Sequence, residues 1–251
     1  MSRLTSVFFR IISLFLSLLY LAVKPLTALG GLTRQEASLF GCVTVTAHSG
    51  CIGLPDNSVL AMAAGEAAGA DIVEFDLNFR ADGTPVLSHY DPGESECTTL
   101  EEAFAFLAAH PCVKANVDVK STAFLDRIEP MAQAAGVLEQ LFFTGLDETM
   151  IPAAVQACPD ITYYLNIKPE PDADLAALAE KAVTLGAIGV NLSFERATLP
   201  LVRVIHEHGL LVSMWDVDHL KDAVAAIRMG ADNVTTYRPV LLRLLAPHIS
   251  Y

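Results

Sequence analysis

Short apolar runs alternate with helix-like stretches along the chain after residue 42, and this alternation limits the folds open to it. Eight runs have the length and composition of strands: residues 43–47, 72–76, 115–119, 141–144, 161–166, 188–192, 210–215 and 233–236. The helix-like stretches between them include 58–68, 100–109, 123–135, 173–185, 199–208 and 219–229. Strand–helix repeats favour a parallel sheet, because parallel neighbours need a crossover connection that is usually a helix.

Glycines mark the points where several of these helices should end. They are Gly69, Gly136, Gly186, Gly209 and Gly230, each at or just after the end of a helix-like stretch. Eight strand–helix units predict an α/β fold, a (β/α)8 or TIM barrel over residues 42–251, which is close to the ~250 residues typical of that fold. An open doubly wound sheet is the alternative, but no glycine-rich phosphate loop follows the first strand.

Residues 1–30 form a separate hydrophobic segment. The stretch 11–23 has thirteen residues without a charge, between Arg10 and Lys24. That is short for a membrane-spanning helix, which needs about 20 residues, and it matches the apolar core of a secretory signal. An uncleaved anchor starting at Leu4 also fits, as does an extra helix packed on the barrel. We expect export or membrane association through this segment.

The overall composition argues against one class of partner. The chain has 16 basic and 29 acidic residues, a net charge of −13, and 53% of its residues are apolar. A core of good size can therefore be buried. Binding to nucleic acid depends on basic patches, so an acidic chain of this kind is not expected to bind it.

Five cysteines at 42, 51, 97, 112 and 158 show no zinc-site spacing. An odd number in a chain with a large core does not indicate a disulfide framework. Cys51 and Cys97 flank the candidate site described next. They could form a disulfide only in an oxidising compartment.

Side chains suited to catalysis lie at or after the ends of the first three predicted strands. They are His48, Glu74, Asp76, His89, Asp118 and Lys120. Residues two apart share one face of a strand, so Glu74 projects beside Asp76, and Asp118 beside Lys120. TIM-barrel active sites lie at the carboxyl ends of the strands. All six side chains, with Trp215 at the end of the seventh strand, are therefore expected on one rim.

The chemistry of this set points to a metal-assisted phosphodiesterase. Three converging carboxylates repel each other unless a cation neutralises them, and oxygen ligands of this kind suit Mg²⁺ or Ca²⁺. Histidines beside such a cation commonly move protons in hydrolysis near neutral pH. An ion pair with Lys120 and no metal is the structural alternative.

The sequence resembles the glycerophosphodiester phosphodiesterase family, within the wider group of phosphatidylinositol-phospholipase-C-like barrels. Seven stretches carry the resemblance in the expected order: 47–50, 55–58, 69–76, 82–89, 116–120, 215–217 and 230–239. The resemblance implies that Glu74, Asp76 and Asp118 hold a divalent cation and that His48 and His89 are the acid–base pair. It also implies that Lys120 contacts the phosphate of a small or lipid-derived phosphodiester.

The sequence departs from the family pattern at several points. Ser49 stands where the family usually has a phosphate-gripping arginine, and Asp56 and Asp118 replace glutamates. Only nine residues separate His89 from Thr99, where the family usually inserts a small helical subdomain, so we expect a more open site. We predict that Ser49 and Trp215 line the substrate site, and Lys168 is a candidate for the missing positive charge.

Two alternative functions follow from these departures. A degenerate barrel would bind phosphorylated head groups without hydrolysing them. A sphingomyelinase D-like lipid phosphodiesterase is the other alternative, because those distant relatives likewise have aspartate at the third ligand position. Neither the head group nor the choice between hydrolysis and cyclic phosphate formation follows from the sequence.

Overall fold

The computed structural model describes residues 43–245. Its strands are β1 (Thr44–Ala47), β2 (Ile72–Phe79), β3 (Pro85–Leu87), β4 (Lys114–Val119), β5 (Leu141–Thr144), β6 (Thr162–Asn166), β7 (Gly189–Ser193), β8 (Leu211–Trp215) and β9 (Asn233–Thr236). Its helices are α1 (Val59–Ala67), α2 (Leu100–Ala109), α3 (Ile128–Ala135), α4 (Ile151–Ala157), α5 (Leu175–Thr184), α6 (Leu199–Glu207), α7 (Leu220–Met229) and α8 (Pro239–Leu245). Helices thus separate most of the consecutive strands.

The sheet closes on itself. Eight strands pair in parallel in the order β1, β2, β4, β5, β6, β7, β8 and β9, and β9 pairs back with β1. The seam between β1 and β9 runs from Thr44 opposite Asn233 to Ala47 opposite Thr236. The predicted TIM barrel is therefore confirmed.

The barrel contains short elements that the sequence pattern did not predict. Strand β3 has three residues and pairs antiparallel with the end of β2, which extends three residues past the predicted limit at Asp76. Helices α4 and α8 have seven residues each. Such short elements complete too few turns or alternations to leave a periodic signal.

The predicted glycine stops are present. Gly69, Gly136, Gly186, Gly209 and Gly230 all have positive φ angles, between 71° and 101°. Glycine adopts this left-handed conformation without the steric penalty that a Cβ brings. Each of these helices therefore turns sharply into the strand or short 3₁₀ turn that follows.

Strand β2 shows how the barrel separates core from site. Phe75 and Leu77 are fully buried and pack in one apolar cluster with Leu100, Phe104 and Leu107 of α2. Side chains alternate across a strand, so the intervening Glu74 and Asp76 point to the inside of the barrel. One strand thus supplies both the packing against the helices and the acidic groups of the site.

The predicted hydrophobic segment 1–30 lies outside the described residues. Between residues 43 and 245, no helix combines the length and the apolar character needed to cross a bilayer. Export or membrane association through residues 1–30 remains a prediction.

Candidate active site

Three carboxylates meet near the point where the parallel pairing of β2 with β4 ends. The register places Asp76 opposite Asp118, and Glu74 lies two residues earlier on β2. One oxygen from each lies within 4.8 Å of the other two. Glu74 and Asp76 are 4% and 3% exposed. The predicted ligand residues therefore come together in a largely buried position.

These carboxylates fit a hard divalent cation. Asp118 Oδ1 is buried and accepts no hydrogen bond in the described part of the chain, although Lys120 Nζ lies 3.2 Å away. A buried anionic oxygen without a full complement of donors is costly. A cation bound between Glu74, Asp76 and Asp118 would satisfy it, and all three offer the oxygen ligands that Mg²⁺ and Ca²⁺ prefer.

Lys120 compensates only part of the negative charge. Its Nζ lies 2.8 Å from Asp76 Oδ1 and 3.2 Å from Asp118 Oδ1. Burial pushes the pKa of Asp76 up, but the Lys120 ammonium and hydrogen bonds from Lys120 and Asn57 outweigh it and leave that pKa below its ordinary value. Burial, followed by the charges of Asp76 and Asp118, raises the pKa of Glu74 well above its ordinary value. One ammonium therefore does not balance three carboxylates.

Both predicted histidines face these carboxylates. His89 Nδ1 lies 3.2 Å from Asp76 Oδ1, and His48 Nδ1 lies 3.6 Å from Glu74 Oε2. A carboxylate at Nδ1 orients an imidazole, and for His89 it leaves Nε2 available for proton transfer. His48 is held further by Tyr237, whose ring stacks on it with centroids 4.1 Å apart.

Ser49 lies in the site, but against His48. Its backbone N–H donates a hydrogen bond of 2.7 Å to Glu74 Oε2, and its Oγ lies 3.1 Å from His48 Nδ1. The residue is 3% exposed. Ser49 therefore helps to place Glu74 and His48.

A pocket of about 630 Å³ opens at this rim. Every residue that the sequence predicts for the site lines it: His48, Ser49, Glu74, Asp76, His89, Asp118, Lys120 and Trp215. Lys168, the candidate for additional positive charge, lines it as well. The side chain of His89 is 54% exposed and Tyr90 is 79% exposed, which agrees with the expected open site.

Sequence reasoning assigned no role to three side chains of the site. Asn57 donates from Nδ2 to Asp76 Oδ2 at 2.8 Å and accepts from the Asp76 backbone N–H at 2.8 Å. Asp216 Oδ1 lies 3.6 Å from His48 Nε2, and Tyr237 stacks on the same ring. All three lie inside the stretches that resemble the family. Their presence in those stretches is the sequence signal that could have pointed to a role in the site.

The two cysteines that flank the site are free. Cys51 is buried, and its thiol donates to the carbonyl of Ala61. Cys97 is partly buried and also unpaired. Neither cross-links the site in this structure.

Comparison with known proteins agrees with the geometry. The model of the "Glycerophosphoryl diester phosphodiesterase family" matches residues 48–92. That segment contains His48, Glu74, Asp76 and His89. Over these residues the chain is similar to that family. The match supports the predicted enzyme class, a phosphoric diester hydrolase.

Solved structures show the same fold. A phosphodiesterase from Oleispira antarctica, in complex with the product sn-glycerol-3-phosphate, is 20% identical with a TM-score of 0.68, covering 84% of this chain and 99% of its own. A candidate glycerophosphoryl diester phosphodiesterase from Silicibacter pomeroyi is 18% identical with a TM-score of 0.72, and the alignment covers 81% of this chain and 92% of that one. A glycerophosphodiester phosphodiesterase from Thermotoga maritima is 18% identical with a TM-score of 0.66, and the alignment covers 79% of this chain and 96% of that one. Among curated proteins, none has significant sequence similarity to this chain.

The raised pKa of Glu74 makes a prediction for the metal-free protein. A carboxyl group whose pKa is raised by folding contributes stability that is complete below its ordinary value of 4.5 and is lost as the pH rises through the folded value. Glu74→Gln mimics the protonated form and escapes this loss. In chelator, its melting temperature should equal or exceed that of the wild type, with a difference that grows between pH 5 and 8.

With added Mg²⁺ or Ca²⁺, the wild type should have the higher melting temperature of the two. The cation stabilises ionised Glu74 in the wild type but not the amide of the Glu74→Gln variant. Differential scanning fluorimetry measures both effects. Glu101→Gln, at an exposed position in α2, is the matched control and should follow the wild type. If Glu74→Gln were less stable than the wild type in chelator at every pH, the electrostatic account of Glu74 would be wrong.

Proposed function

We propose that this protein hydrolyses glycerophosphodiesters or related lipid head groups with the help of a divalent cation and two histidines. The observation that carries the proposal is the meeting of Glu74, Asp76, Asp118 and Lys120 with both histidines in one open pocket. The family match supports it. So does the Oleispira antarctica neighbour, whose bound product is sn-glycerol-3-phosphate.

The carboxylates Glu74, Asp76 and Asp118 would hold the cation. When bound, Mg²⁺ or Ca²⁺ supplies Lewis-acid stabilisation of negative charge on the phosphoryl oxygens. Lys120 would provide a second positive charge next to the phosphoryl oxygens. Because its Nζ is held by Asp76 and Asp118, the ammonium is already oriented before substrate binds.

The histidines move the protons of the reaction. One imidazole takes the proton of the attacking oxygen, and the other protonates the leaving alcohol oxygen. The attacking oxygen belongs either to water or to a hydroxyl of the substrate itself, and the second case yields a cyclic phosphate. Asp76 beside His89 and Glu74 beside His48 keep each ring oriented for this exchange.

Phosphorus NMR tests the proposal most directly. Glycerophosphocholine incubated with the protein and Mg²⁺ or Ca²⁺ should give the resonance of a phosphate monoester or of a cyclic phosphate, which identifies the bond cleaved. Excess chelator should abolish the new signal, and added cation should restore it. Turnover that survives chelation would overturn the metal assignment. No product from any phosphodiester would overturn the activity.

Removing either histidine should lower the rate. His48→Ala and His89→Ala should each reduce kcat by about 10²- to 10⁴-fold, the usual contribution of a general acid or base. His208→Ala, at an exposed position after α6, is the matched control and should keep wild-type activity. Steady-state rates at matched folded fractions measure the effect. A loss of less than tenfold for both site variants would contradict the acid–base assignment.

Ser49→Arg tests whether a missing guanidinium limits catalysis. Ser49 is 3% exposed and its Oγ lies 3.1 Å from His48 Nδ1, so an arginine has no room without displacing the ring. We expect kcat/KM on glycerophosphodiesters to stay constant or fall. Ser49→Ala is the control, since it keeps the backbone hydrogen bond to Glu74. A gain of about tenfold or more, the size of a new charge-assisted bond, would contradict this expectation.

A further inference from the structure

The segment that follows β9 holds both the ring and the backbone of His48. Tyr237, the first residue after β9, stacks on the imidazole with centroids 4.1 Å apart and ring planes 25° apart. The His48 backbone N–H donates to the carbonyl of Thr236 at 3.0 Å. The position of residues 236–237 therefore affects where the His48 imidazole lies and how it is tilted.

Polar contacts alone do not fix the plane of the His48 ring. The carboxylates of Glu74, at Nδ1, and Asp216, at Nε2, each lie 3.6 Å away, which is too long for a hydrogen bond. The Ser49 hydroxyl lies within hydrogen-bond distance, 3.1 Å from Nδ1. One hydrogen bond fixes a single ring atom, and the ring can still turn about it. The stacked ring of Tyr237 restricts this remaining rotation.

Asp218 fixes the segment that carries Tyr237. Its Oδ1 accepts two hydrogen bonds of 2.8 Å, from the Thr236 hydroxyl and from the Tyr237 backbone N–H. The oxygen of the Thr236 hydroxyl in turn accepts from the Arg238 backbone N–H at 3.0 Å. Hydrogen bonds to a carboxylate are stronger than those to a neutral acceptor. One carboxylate oxygen thus holds the turn after β9 against the turn after β8.

The loop that carries His48 is tied to the same residue. Ile52 donates its backbone N–H to the Tyr237 carbonyl at 2.9 Å. Ile52 has a φ of 61°, a left-handed conformation that β-branched residues rarely adopt and that persists only where neighbouring contacts hold it. The hydrogen bond to Tyr237 is one of these contacts. A shift of Tyr237 would therefore disturb the loop as well as the stacked ring.

Asp218 can influence the reaction only indirectly. It is partly buried in the turn after β8 and does not line the pocket, whereas Tyr237 does. Among the residues that Asp218 holds, Tyr237 contacts the His48 ring. The contacts therefore form a chain from the Asp218 carboxylate through Tyr237 to the imidazole.

We propose that Asp218 is a positioning residue, which holds Tyr237 against His48 and so keeps the imidazole in the orientation that proton transfer requires. The inference rests on the proposed phosphodiesterase function and adds to it a residue outside the pocket. Proton transfer needs hydrogen-bond geometry at the reacting atoms, and a misplacement of about 1 Å can cost roughly a hundredfold in rate.

Proton NMR of His48 tests the inference without any turnover. The face of the Tyr237 ring shifts the resonances of the stacked imidazole upfield, and Tyr237→Leu should remove that shift. Asp218→Ala should remove most of it, although both rings are still present. Asp218→Asn keeps an oxygen that can accept both hydrogen bonds, so it should retain the upfield shift.

Two further variants complete the NMR test. Thr236→Val has nearly the same shape but loses one of the two bonds to Asp218, so it should reduce the upfield shift even if Asp218→Ala does not fold. Asp174→Ala is the matched control. It also removes two hydrogen bonds to an aspartate Oδ1, but at the start of α5 and outside the pocket, and it should behave as the wild type.

Turnover provides the second arm. On glycerophosphocholine, Asp218→Ala should lower kcat by about ten- to a hundredfold, with a smaller change in KM, because Asp218 does not line the pocket. Asp218→Asn should recover most of this loss. Tyr237→Phe keeps the stacked ring and should lose far less activity than Tyr237→Leu. Rates are compared at matched folded fractions.

Several outcomes would contradict the inference. If Asp218→Asn lost as much as Asp218→Ala, the charge of Asp218 and not its hydrogen bonds would matter. If Tyr237→Phe lost as much as Tyr237→Leu, the phenol and not the stacking would matter. An upfield shift of His48 that survived Asp218→Ala would also overturn it. The expected NMR changes with no turnover of any diester would instead uphold the contacts from Asp218 to His48 and reject the phosphodiesterase activity.

Discussion

The site depends on the parallel pairing of β2 with β4, which places Asp76 opposite Asp118. That register brings carboxylates together inside the barrel, where each negative charge raises the cost of ionising the next. Lys120, two residues after Asp118 on the same face, is the ammonium that offsets part of this repulsion. A one-residue slip would turn Asp118 and Lys120 away from the pocket and remove the site.

The surrounding residues hold these charges in place. Asn57 binds both the carboxylate and the backbone N–H of Asp76, and Ser49 donates its backbone N–H to Glu74. At the end of β5, Gly145 allows the chain to pass close to Asp118, because a Cβ there would lie 2.1 Å from Oδ1. The loop after β1, the β2–β4 pair and the turn after β5 are thus mutually constrained around one acidic centre.

Sequence reasoning predicted the fold and most of the residues that come together in the candidate site, because both leave local signals. Strand alternation and glycine stops such as Gly69 and Gly230 repeat along the chain, and the barrel then places strand ends together without further information. The contacts of Asn57 and Tyr237 left no such signal, since each side chain acts through a partner distant in sequence: Asp76 for Asn57 and His48 for Tyr237. Strand β3 was missed because three residues are too short to show an alternation.

The departures from the family pattern become coherent when the two sides of the pocket are considered together. On the β4 side, Lys120 lies beside three carboxylates that could hold a cation. On the other side, Ser49 is neutral, and Asp216 faces His48 instead of a phosphate-binding group. A phosphate in this pocket would therefore depend for positive charge on Lys120, Lys168 and a bound cation, and not on residue 49.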